Sequence, residues 1–177
     1  MKKIISSLLI LLTTVSISLA QYKPTDQGST LKFTVKNFGI GVDGTFTGFK
    51  GNISFDPQNP SSANFDVSID AAPVNTDNSI RDQHLKGEDY FDIKNYPLIR
   101  LQATKVVASK DGYTLTGVLT IKGKSKPISF PFTASPSADG LIFKGSFKIN
   151  RKDFGVGGTS TISNELEVNL NVLAKKS

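Results

Sequence analysis

The sequence predicts an all-β chain: an antiparallel sheet of about eight strands with one apolar face, interrupted once by a short helical insertion. Three observations carry this. Apolar and polar residues alternate at period two along most of the chain, clusters of turn-forming residues punctuate the alternation, and one stretch, residues 75–93, switches to helical spacing.

Taken in order, the chain opens with MKKIISSLLILLTTVSISLA. Lys2 and Lys3 form a basic start, an apolar run follows from Ile4 to Leu12, and Ser18 and Ala20 are small residues spaced for a signal peptidase. The run is too short for a membrane span, so the segment reads as a secretory signal cut before Gln21, and the expected destination is periplasmic or extracellular. Removing the first 20 of 177 residues leaves 157, which suits one domain, and takes the formal charge from +6 to +4. With no cysteine there is no disulfide framework, thiol nucleophile or cysteine metal site. No aromatic-interleaved basic patch points to nucleic acid.

The strands follow. Leu31, Phe33 and Val35 alternate with Lys32 and Thr34; the same rhythm runs through Phe65–Ile69, Ile99–Ala103, Tyr113–Leu115, Ile128–Phe132, Leu141–Ile149 and Leu166–Val172. In GTFTGFKGNISF the apolar phase shifts between Phe46 and Phe49, which predicts a bulge near Gly48. DPQNPSS at 56–62, KDG at 110–112, KGK at 122–124 and SADG at 137–140 are the turns. KGKSK, Lys122–Lys126, is a solvated hairpin turn or a contact for anionic lipid heads. GIGVDG at 39–44 has the letters of a phosphate loop but leads into a strand, and NIS at 52–54 lies within one. A sheet of this kind hides its apolar face by curling into a barrel or splitting into a sandwich. A barrel of that size is either filled by side chains or holds one small ligand.

The exception to period two is NTDNSIRDQHLKGEDYFDI. Asp77 is the expected N-cap, with Ile80, His84, Gly87 and Phe91 along one helical face, Leu85 beside them, and the end near Gly87. His84 is the only histidine, so any conventional serine triad would run through it, and no G-x-S-x-G elbow accompanies it. Zinc catalysis asks for more ligands than one histidine supplies. Calcium on Asp82, Glu88, Asp89 and Asp92 follows no EF-hand spacing. Two readings of His84 stay open: a buried or half-buried histidine bonded to a neighbouring carboxylate or carbonyl, or a partner of Arg81 at the mouth of a cavity. Arg81 and Asp82 are expected to form ion pairs that tie the segment to the sheet, with Asp92 as a third candidate.

SIRDQHLKGEDYFDIKNYPLI, the LTIKGKSKPI hairpin, INRKDFG and the closing NELEVNLNV together resemble, in order and spacing, the YceI-like lipid/polyisoprenoid-binding family. The resemblance spans the whole chain after the signal. It implies an eight-stranded, lipocalin-like antiparallel barrel with a long apolar pocket, an exported protein, a polyisoprenoid or related long-chain amphiphile as ligand, no cofactor and no catalysis. Carried over by position, Arg81, Asp82, His84 and Leu85 match the first motif, and Phe91, Asp92, Tyr96 and Pro97 continue it. Asn150, Arg151, Asp153, Phe154 and Gly155 match the second, while Asn37 stands where members often have histidine. Arg151 beside an aspartate also reads as an architectural closure of a strand end.

Burying an isoprenoid tail gains about 25 cal/mol per Å² of apolar area, so the lining is expected to dominate affinity. The inward set Phe33, Val35, Phe65, Val67, Leu101, Leu115, Phe130, Phe132, Phe143, Phe147 and Val168 is the expected lining, with Leu85 and Phe91 at the lid and Gly145 leaving room in the bore. Arg81, Asp82 and His84 are the head-group or lid candidates. The same phenylalanines could instead fill the barrel, leaving a ligand-free interaction protein.

Overall fold

The computed structural model describes residues 20–158 and 161–177; the expected export signal, apart from Ala20, lies outside them. The strands are β1 (Gln21–Pro24), β2 (Thr30–Asn37), β3 (Ile40–Phe46), β4 (Lys50–Ser54), β5 (Asn64–Asp70), β6 (Leu98–Ser109), β7 (Gly112–Ile121), β8 (Lys124–Ser137), β9 (Gly140–Asn150) and β10 (Ile162–Lys176), with one α-helix among the described residues, α1 (Ser79–Lys86). All pairings are antiparallel, and β1-β4-β5-β6-β7-β8-β9-β10 close into a ring of eight because β1 pairs with both β4 and the end of β10. This is the closed barrel that the family resemblance implies.

Two of the barrel's staves are broken strands. β1 and β2 share one edge of β10; β3, the hairpin partner of β2, and β4, paired with β1, run beside them. The break between β3 and β4 falls at the expected bulge: Gly48 has φ 83°, and the amides of Gly48 and Phe49 donate to Asp26 Oδ1, 2.7 and 3.0 Å away, in the break between β1 and β2. A side chain in one break thus satisfies the backbone of the other. β1 has only four residues, too few for its alternation to stand out in the sequence.

One end of the barrel is solid. Phe55, fully buried, stands edge-on to Tyr113 at 5.0 Å and Phe143 at 5.5 Å between ring centroids, and Phe65, Phe132, Val106 and Leu115 complete the cluster. The other end flares. The first half of β8 pairs only with β7, since its ladder with β9 begins at Phe132; Pro127 and Pro131 in that half bring no N–H. The outer edge of β3 is held only by a bridge between Thr45 and Asn75. Across this end runs the helical insertion.

The insertion differs from expectation in two respects. Asp77 has φ 56°, a left-handed conformation that aspartate tolerates, and Asn78 caps the helix instead, its Oδ1 accepting from Arg81 N at 2.9 Å. Gly87 ends the helix, as expected. The apolar stripe does not form: α1 stops at Lys86, so Phe91 lies beyond its helical register, and Ile80 and His84 are exposed. Leu85 and Phe91 anchor the segment, with Phe91 edge-on to Phe46 at 5.3 Å.

Candidate functional site: the cavity at the flared end

Above the aromatic plug is a cavity of about 340 Å³. β2 supplies Leu31, Phe33, Val35 and Asn37; β3 supplies Val42 and Phe46; β9 and β10 supply Phe147, Ile149, Ile162, Leu166 and Val168. Leu85 and Phe91 close it from the lid. Most of its polar groups belong to the lid segment, Thr76, Asn78, Arg81, His84 and Tyr90, while Asn37 of β2 and Arg151 after β9 add two more. Such a site takes a molecule that is apolar along most of its length and polar at one end.

A smaller cavity of about 120 Å³ lies deeper, lined by Phe65, Val67, Leu101, Leu115, Phe130, Phe132 and Phe143 among others. Leu31, Ile69, Ile99, Leu119 and Phe147 line both, forming the wall between them. Phe147 is held there by Phe130, with ring centroids 4.6 Å apart. The expected lining therefore splits. Phe33, Val35, Leu85, Phe91, Phe147 and Val168 border the larger space, whereas Phe65, Phe132 and Phe143 belong to the plug and touch only the smaller one. Gly145 leaves room, but for a ring rather than a bore: a Cβ there would stand 3.3 Å from Phe130 Cε2 and 3.0 Å from Pro131 O.

The charged candidates also separate. Among the described residues Arg81 and Asp82 form no ion pair; both bond to Thr76, a buried residue. Thr76 Oγ1 donates to Asp82 Oδ1 at 2.6 Å and accepts from Arg81 Nε at 2.7 Å, while Arg81 Nη2 donates to Thr76 O at 2.6 Å and Thr76 N donates to Asp82 Oδ1 at 2.9 Å. A neutral hydroxyl satisfies both charged groups locally, so neither has to reach the barrel wall. Arg81 lines the cavity and its Nη1 has no partner among the described residues; Asp82 does not line it. Asp92, buried, accepts from Asn95 Nδ2 at 3.0 Å. His84 is exposed, its side chain has no hydrogen-bond partner among the described residues, and it borders the cavity, which sets aside the buried, bonded histidine. Among the described residues no three acidic or histidine side chains converge as a metal site would require.

Arg151 is the architectural closure. Buried to 4% exposure, it donates to the carbonyls of Val156 at 2.8 Å, Gly157 at 3.1 Å, Ile162 at 2.9 Å and Ser163 at 3.0 Å. It ties the segment after β9 to the start of β10, and the same segment meets the lid where Gly157 N donates to Asp89 O at 2.7 Å. Several lining residues, Leu31, Ile69, Ile99, Ile149 and Leu166, lie in phase with the sequence alternation and were legible from it. Val42, Thr76 and Asn78 were not, because β3 starts after a turn of unreadable register and 74–78 is irregular.

Residues 22–174 match the family described as YceI-like domain. A UPF0312 protein of Pseudomonas aeruginosa is 31% identical over 163 residues, 86% of this chain and 85% of that one. A UPF0312 protein of Photorhabdus laumondii is 33% identical over 156 residues, 82% and 80% of the two chains. The crystal structure of Burkholderia cenocepacia BcnA superposes with a TM-score of 0.78 at 26% identity, over 84% of this chain and 98% of its own. A polyisoprenoid binding domain from Saccharophagus degradans shares the fold, with a TM-score of 0.68 at 15% identity over 90% of this chain and all of its own.

Proposed function

Because the chain belongs to the YceI-like family, we propose that it binds a long-chain apolar amphiphile of the polyisoprenoid type in the flared end of its barrel, and stores or carries it without catalysis. The observation that carries this is the larger cavity: about 340 Å³, lined mainly by apolar side chains, with its polar groups mostly on the lid. At about 30 Å³ per methylene-sized group, the volume accommodates roughly a dozen carbons. Apolar burial at about 25 cal/mol per Å² makes the walls the main source of affinity. Arg81, with Nη1 uncommitted, and the exposed His84 are the groups available to a hydroxyl or anionic head. The Saccharophagus neighbour is too distant in sequence to speak for more than the fold; the reading stands on the cavity. Export by the N-terminal signal, to the periplasm or beyond, belongs to the same proposal.

The test is mass spectrometry of organic extracts from the full chain purified without detergent. A near-stoichiometric long-chain amphiphile is expected. A clean extract, together with failure to take up a fluorescent prenyl probe, would favour the ligand-free reading. Hydrolysis of esters or phosphates by the wild type, lost in folded His84→Gln, would favour an enzyme.

A further inference from the structure

The three most exposed large apolar side chains among the described residues sit on one rim: Phe38 at 78%, Ile40 at 72% and Ile80 at 71%. Phe38 and Ile40 belong to the β2–β3 turn. The strands on either side of it send Val35, Asn37 and Val42 into the wall of the larger cavity, which Ile80 also borders. The turn is a costly place for a phenylalanine. Phe38 has φ 50° and Gly39 φ 83°, the successive left-handed pair of a tight hairpin, where asparagine or aspartate is less strained than a bulky ring. The chain holds this ring in an unfavourable backbone region and leaves it in solvent. The turn's backbone is tied down where Phe38 N donates to Thr161 O, but the ring itself stays 78% exposed, which points to a role outside the fold.

The same rim carries exposed lysines. The segment after β9 connects the two turns: Phe38 N donates to Thr161 O, and Lys122 Nζ donates to Gly155 O at 3.1 Å. The KGKSK turn therefore stands at the cavity end, with Lys124 and Lys126 exposed, and Lys36 is exposed beside the apolar tip. Of the exposed acids of this end, Asp77, Glu88 and Asp89 lie on the lid segment, Asp153 lies on the segment after β9, and Glu165 is paired with Lys148 at 2.8 Å.

We propose that the Phe38–Ile40 tip, with Ile80, inserts into the interfacial layer of an anionic lipid bilayer, Lys36, Lys124 and Lys126 facing the headgroups, and so brings the cavity mouth to the lipid that supplies its ligand. Aromatic and aliphatic side chains flanked by lysine suit that layer. The purpose of the docking rests on reading the cavity as an amphiphile site; the docking itself does not.

The chain contains no tryptophan, so Phe38→Trp turns the tip into its own fluorescent reporter. Full-chain Phe38→Trp is mixed with vesicles of phosphatidylethanolamine and phosphatidylglycerol, and separately with phosphatidylcholine vesicles. A blue shift with the anionic vesicles, weaker with phosphatidylcholine, is expected. A second variant, Phe38→Asn with Ile40→Thr, places a residue suited to the turn at position 38; its vesicle partition should fall about tenfold or more, since binding scales with the apolar area inserted. Its uptake of a soluble prenyl probe in the absence of vesicles should equal that of the wild type. Unchanged tryptophan emission with both vesicles overturns the proposal. So does full partition by the double variant, or a blue shift that grows with protein concentration without lipid, which would mark a second copy as the occupant. Tip insertion by a protein that takes up no probe supports the docking and removes the cavity reading.

Discussion

Arg151 converts one side chain into a set of backbone bonds. Its guanidinium donates to four carbonyls between Val156 and Ser163, in a place where water is largely excluded. A planar fork can do this and a single ammonium cannot. Arg151→Met should therefore cost about 3 kcal/mol or more by stranding buried acceptors, which calorimetry would register as a fall in Tm of roughly 6–12 °C. Arg151→Lys should recover only part of it. Arg81, the other arginine of the cavity end, is spent differently: two of its nitrogens orient Thr76 and one remains free. The two residues look alike in the family motifs and both border the larger cavity, yet one holds the wall's backbone and the other holds a side chain of the lid.

At the scale of strands and helix, the β5–β6 pair carries a bidentate ion pair, Arg100 Nε and Nη2 on Asp66 at 2.8 and 2.7 Å. The hydrogen bond from Arg100 holds the Asp66 carboxyl below its ordinary value. A depressed carboxyl contributes stability that is complete above its unfolded pKa of about 3.9 and disappears as pH falls through the folded one. The difference in Tm between wild type and Asp66→Asn, small at pH 7 because the pair is exposed, should close as pH drops below about 4. The Phe130–Phe147 stack between the cavities depends on Gly145 in β9. Gly145→Ala should overpack Phe130 at a cost of about 1–2 kcal/mol, measurable by denaturant unfolding. If the room at Gly145 were open bore instead, the substitution would be nearly silent.

For the whole molecule, the barrel divides its labour along its axis: an aromatic plug supplies the core that stabilises the fold, and the flared end keeps an opening. Charge placed in the two halves should behave differently. Phe132→Asp, a carboxylate among Phe55, Phe65, Tyr113 and Phe143 with no partner, should cost about 4 kcal/mol or more and give little soluble protein. Val35→Trp, in the wall of the larger cavity, should fold with Tm within a few degrees of the wild type yet lose bound amphiphile several-fold, because the new ring takes the tail's place. Equal ligand retention by Val35→Trp and the wild type would move the binding site elsewhere.

Periodicity alone determined that this chain is an antiparallel sheet with one wet face and one dry face, since side chains alternate across a strand whatever the tertiary context. It also located the irregularity at Gly48, which is a break between β3 and β4 rather than the expected bulge, and the turns, where backbone chemistry is local. It left barrel and sandwich both open; the motif resemblance favoured the barrel, and the pairing of β1 with both β4 and β10 closes it. Which inward residues fill space and which surround it was decided only by packing. Phe33 and Phe132 both point inward from their strands, but Phe132 meets four other rings across the closed end, whereas Phe33, beside Phe46, borders the larger cavity. The fate of Arg81, Asp82 and His84 was likewise tertiary: a buried threonine hydroxyl bonded the first two, and an eight-residue helix too short to reach Phe91 left the histidine in solvent at the mouth.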